Sequence, residues 1–80
     1  MPFFLLHHKH QPHECAPAFA AWQGFDSPLR HTSVASSCLT GGHGLWWRVE
    51  AADPSQALSL LPRFVAERTS PIQIREVDIP

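Results

Sequence analysis

Charge is scarce in this chain. Only 16% of its 80 residues are charged, against about a quarter in an ordinary globular domain, and six Lys plus Arg against seven Asp plus Glu leave a net charge of −1. A nucleic-acid binder gathers basic side chains on one face, and that footprint is missing. With 44% hydrophobic residues the chain is no disordered tail either. Long hydrophobic runs are absent too, since no stretch approaches the ~18 to 20 apolar residues of a membrane span. Met1 to Leu6 is apolar for only a few residues with no basic region before it, unlike a secretory signal, so the expected setting is the cytoplasm, with no membrane partner. Cysteine is limited to Cys15 and Cys38, where a small secreted scaffold normally carries four or more. They are expected as thiols, and so as candidate ligands or nucleophiles. No Gly-rich phosphate loop, serine elbow or spaced carboxylate pair occurs, which leaves phosphoryl transfer, serine hydrolysis and glycoside hydrolysis without support.

What the chain has in excess is histidine. Six occur in 80 residues, four of them between His7 and His13, and this makes metal chemistry the first functional question. The length fits a single domain over residues 1–80, in which folding buries only roughly 60 to 65% of the unfolded surface.

The element reading starts with Pro2 to His10, where Phe3, Phe4, Leu5 and Leu6 are all apolar, as in a strand buried on both faces in the middle of a sheet. His13 to Trp22 has helical spacing and Gly24 ends it. Thr32 to Leu39 and His43 to Ala51 flank Thr40-Gly41-Gly42 and predict an antiparallel hairpin. In its second strand Leu45, Trp47 and Val49 share the core face, while Trp46, Arg48 and Glu50 share the other. Asp53-Pro54-Ser55-Gln56 combines an N-cap acid, proline at the first helical position and Gln three residues after the cap. The helix it opens is predicted to run through Glu67. Ser70-Pro71 reads as its break and Ile72 to Ile79 as the last strand. The fold class is therefore α+β, a ferredoxin-like βαββαβ domain whose antiparallel four-stranded sheet has the order 4-1-3-2 and carries two helices on one face. The other face stays uncovered and partly apolar, which predicts a homodimer stacked sheet to sheet.

On a strand, residues two apart point the same way, so His8 and His10 can converge on one ion while His7 points away. His13 and Cys15 follow at the start of the first helix, where a thiolate is favoured. The strand order brings His10 near His43 and Cys38 toward the same rim; His31 falls at the opposite end. Each residue also has a plain structural alternative: a helix-start surface position for His13, apolar packing for Cys15 and Cys38, and a solvated turn for His43. The histidines collectively could also make a dimer interface pH-sensitive.

The segment His8-Lys9-His10-Gln11-Pro12-His13-Glu14-Cys15, with Gly42-His43 opening a strand and Val49-Glu50-Ala51-Ala52-Asp53 leading into the second helix, resembles a family of small bacterial proteins of unknown function. The resemblance implies a ferredoxin-like fold related to nickel-binding and dimeric α/β-barrel proteins, and it implicates His8, His10, Cys15 and His43. Together these readings point to a small protein that holds nickel or zinc through His8, His10, His43 and Cys15, with His13 as an auxiliary ligand. The competing reading is a metal-free dimeric α/β-barrel enzyme, isomerase- or monooxygenase-like, or a ligand-binding module with His8 or His10 as general base.

Overall fold

A computed structural model describes residues 1–80. It is an α+β chain around one open, four-stranded antiparallel sheet, with strands β1 (Phe3–Lys9), β2 (Ala35–Ser36), β3 (Gly44–Glu50) and β4 (Thr69–Ile74) in the order β2-β3-β1-β4. This is the order expected from the sequence. Every second residue of β1 faces the core: Phe4, Leu6 and His8 lie opposite Val49, Trp47 and Leu45 of β3. These apolar side chains pack with Ala57, Leu61 and Val65, so the helical segments after β3 cover this face. The opposite face carries Phe3, Leu5, His7, Trp46, Ile72 and Ile74, all at least partly exposed. There His7 stacks flat on Trp46 with ring centroids 4.9 Å apart. Arg48 lies over the Phe3 ring and pairs with Glu76 at 3.6 Å on the exposed surface, where such a pair adds little stability.

Helices α1 (Cys15–Ala20), α2 (Pro54–Leu58) and α3 (Arg63–Ala66) are all short. α1 is shorter than expected because Pro12–Glu14 forms a separate 3-10 turn and the chain leaves the helix before Gly24, which has φ 75°. α2 begins where predicted, with Asp53 Oδ1 accepting from the Gln56 N–H at 2.8 Å. The helix predicted through Glu67 is broken, because Pro62 has no N–H to donate and its ring obstructs the preceding turn. The apolar stripe nevertheless survives the break, with Ala57, Leu61 and Val65 all buried.

Two strand boundaries also differ. β2 spans two residues rather than Thr32 to Leu39 because serine side chains compete for the backbone. Ser37 Oγ accepts from the Gly44 N–H at 2.9 Å, Ser36 Oγ accepts from the Cys38 N–H at 3.1 Å, and Cys38–Thr40 turns into a 3-10 helix. β4 starts at Thr69 and absorbs the Ser70-Pro71 pair read as a break, since a strand at the sheet edge tolerates proline. No helix is long and apolar enough to cross a membrane.

Candidate metal centre

Three elements supply the cluster. β1 delivers His10 just past its last residue, the first residue of α1 delivers Cys15, and the turn before β3 delivers His43. The backbone joins two of these directly, as the His10 N–H donates to the His43 carbonyl at 3.2 Å. The proximity of His10 and His43 expected from strand order is thus realised. His43 takes the left-handed conformation, φ 53°, which is unfavourable for a side-chain-bearing residue and turns the chain sharply into β3. Gly42 before it is constrained by space, because a Cβ there would collide with the Ser37 side chain.

One ligand atom each from His10, Cys15 and His43 lies within 4.8 Å of the others. Cys15 Sγ sits between the two imidazoles, 3.3 Å from His10 Nε2 and 3.1 Å from His43 Nδ1. Around zinc or a similar ion, bond lengths of ~2.0 to 2.3 Å and tetrahedral angles set a sulfur and a nitrogen about 3.6 Å apart. The cluster's two sulfur–nitrogen edges are thus within a few tenths of an ångström of that spacing, while the two imidazole nitrogens, within 4.8 Å of each other, would have to close toward about 3.3 Å around an ion.

His8 stands behind His10. It is fully buried, and His10 is 3% exposed. His8 Nδ1–H is shared between the Val65 carbonyl at 3.2 Å and the Thr69 hydroxyl oxygen at 3.3 Å, while that hydroxyl itself donates to the same carbonyl at 2.7 Å. A carbonyl only accepts, so the proton of neutral His8 is on Nδ1 and Nε2 is left as an acceptor. His8 Nε2 then accepts from His10 Nδ1–H at 2.9 Å. It follows that neutral His10 carries its free lone pair on Nε2, the atom facing Cys15. Without a metal, the Cys15 S–H donates to His10 Nε2 and His43 Nδ1–H donates to the sulfur.

Burial holds both inner histidines neutral. His8 titrates below the ordinary 6.5, mainly through desolvation and against the opposing effect of its bond to Val65. His10 also titrates low, from desolvation first and then from the neighbouring His43. A neutral imidazole is the form that binds a metal.

The remaining sequence candidates are placed apart. His13 is exposed on the 3-10 turn and outside the three-residue cluster. His7 lies on the opposite face of the sheet against Trp46. Cys38 is a free thiol, partly buried, that packs against the hydrophobic core. Three contributors had no signal in the sequence. Glu14 accepts from the Gln11 N–H at 2.9 Å and from Arg68 Nε at 2.9 Å, fastening the turn just before Cys15 to the segment that follows α3. The Gln11 N–H holds the Glu14 carboxyl below its ordinary range, and Arg68 adds to this against the opposing effect of desolvation. Arg68 and Thr69 lie more than fifty residues from the histidine run, and only the packing of α3 and β4 against β1 reveals their part.

Comparison with protein-family models, curated proteins and solved structures finds no match to this chain.

Proposed function

We propose that the protein binds a divalent transition ion, zinc or nickel, through His10 Nε2, Cys15 Sγ and His43 Nδ1, with His8 positioning His10. The observation that carries this reading is the convergence of two imidazoles and a thiol within 4.8 Å, with one imidazole oriented by a buried hydrogen-bonded chain ending on Val65. Metal-bound histidines typically donate their second N–H to such a partner, which fixes the ring and raises its basicity. Three protein ligands leave the fourth tetrahedral position for water or a substrate, so the donor set also suits a catalytic ion. The strand order supports a ferredoxin-like architecture, and the uncovered apolar sheet face supports a second copy of the chain as its cover.

Elemental analysis of protein made without a histidine tag tests the metal. About one equivalent per chain is expected, and less than about a tenth of an equivalent after loading would overturn the reading. Cobalt(II) adds a spectroscopic check. A thiolate-to-cobalt charge-transfer band is expected in the parent and should vanish in Cys15→Ser.

The contact between Cys15 and His10 also favours a second reading, a metal-free enzyme with Cys15 as nucleophile and His10 as its base, oriented by His8. His8 itself is no candidate base, since both its nitrogens are engaged inside the core. Alkylation of Cys15 by iodoacetamide separates the two: stoichiometric zinc should block it under the first reading and leave it unchanged under the second.

A further inference from the structure

A separate cavity of about 290 Å³ opens on the helix-covered side of the sheet, between β3 and the long connection from α1 to β2. Trp22, Leu29, Val34, Leu45 and Trp47 give it an apolar lining. Arg30, His31 and Thr32 supply polar groups, and no carboxylate lines it. The volume lies at the small end of ligand sites, and the combination of an apolar body with a few polar groups is typical of them.

The connection that shapes this cavity is fixed in place. Ser27 Oγ–H donates to the Leu60 carbonyl at 2.7 Å, pinning the connection to the segment between α2 and α3. The same oxygen accepts from the Leu29 N–H at 3.2 Å, and the Thr32 hydroxyl donates to the Leu29 carbonyl at 2.7 Å. Trp22 packs edge-on against Phe25 and also touches Trp47. His31 is held in the left-handed region at φ 62°, the only such non-glycine residue besides His43. Backbone strain of this kind persists where the surroundings enforce it, and here it sits on the rim of a cavity.

Arg30 supplies the chemistry. Arg48, Arg63 and Arg68 each pair with a glutamate, whereas half-buried Arg30 and exposed Arg75 make no ion pair, and of these two only Arg30 lines this cavity. The only hydrogen bond of Arg30 is a long one, 3.4 Å, from Nη1 to the Phe25 carbonyl. Most of its donors are therefore free beside an apolar cavity that contains no acid, and a guanidinium pairs best with a planar carboxylate. We infer that this cavity binds a small monocarboxylate with an aromatic or branched aliphatic body, its carboxylate on Arg30 and its body against Trp22 and Trp47. This site does not depend on the metal reading, because it shares no ligand atom with His10, Cys15 or His43.

The test is titration of metal-stripped protein with phenylacetate, 3-phenylpropionate and isovalerate, each beside its neutral amide, followed through the three indole N–H signals by NMR. At least one acid should give saturable shifts of the Trp22 and Trp47 indoles while Trp46, on the other face, stays still. The acid should bind about tenfold more tightly than its amide, and Arg30→Gln should remove that preference. Val34→Phe, which fills the cavity, should abolish the shifts. Absence of saturable shifts with all three acids at millimolar concentration overturns the inference, as does equal binding of acid and amide by the parent protein. Repeating the titration on Cys15→Ser keeps this result separate from the fate of the metal site.

Discussion

Imidazole side chains in this protein differ mainly in what their second nitrogen touches. His8 has one nitrogen on Val65 and the other on His10 with no exposure to water, so its removal leaves buried polar groups without partners. His8→Ala should destabilise the metal-free protein by about 1–3 kcal/mol. It should also weaken metal binding by about 10- to 100-fold, as read by chemical denaturation and by competition with a chromophoric chelator. His43→Gly should behave differently. Relief of the left-handed backbone offsets loss of the Cys15 contact, so stability without metal should stay within about 1 kcal/mol of the parent, while metal affinity falls at least about tenfold. The low titration of His8 and His10 gives stability a definite pH dependence. Unfolded imidazoles take up protons near 6.5, but the folded ones resist until lower pH, so the unfolded state binds more protons in between. Stability from this source is full above 6.5 and is lost as pH falls through that value toward the folded pKa values. Denaturation midpoints measured from pH 7.5 downward should decline below about 6.5, and the decline should flatten in a His8→Phe variant that retains the fold.

At the scale of elements, the turns position the candidate centre more than the helices do. The Gly41-Gly42 turn was legible as a turn, and its position before β3 predicted that His43 would meet His10. The reason for its tightness was not legible, because Ser37 approaches Gly42 only once Ser37 has left the strand to accept from Gly44. Gly42→Ala should therefore cost about 1–3 kcal/mol by overpacking and displace His43, reducing metal content in parallel. Asp53→Ala is the useful contrast. Loss of the cap on α2 should cost about 1 kcal/mol without changing metal content, since α2 contributes no ligand. The start of α2 was readable because a cap is a local arrangement of a few neighbouring residues. Its interruption at Pro62 was masked by an apolar stripe that continues in space although the hydrogen-bonded helix does not.

For the whole molecule, the sheet has one side covered and one side bare. The bare side carries Leu5 at its centre and the His7–Trp46 stack beside it. Residues 1–80 leave this face at least partly exposed. Sedimentation velocity should show a dimer at micromolar concentration, and Leu5→Glu should shift it to monomer without lowering metal content, because Leu5 and His10 project from opposite faces of β1's sheet. Alternation along the chain, the turn glycines, the helix start and the element order were enough to determine an antiparallel α+β sheet with β1 and β3 adjacent. These are local or combinatorial properties, and a linear sequence carries them. Both faces of β1 are apolar as far as Leu6, so the sequence left open which side the His8–His10 pair takes. Packing of α3 and β4 decided this by offering Val65 and Thr69 to His8 on the core side. The same packing buries His8 behind His10 with both of its nitrogens hydrogen-bonded. Hydrogen-bond partners more than fifty residues apart become neighbours only when the sheet closes, and for that reason the histidine count raised a metal question while the tertiary structure decided which side chains meet.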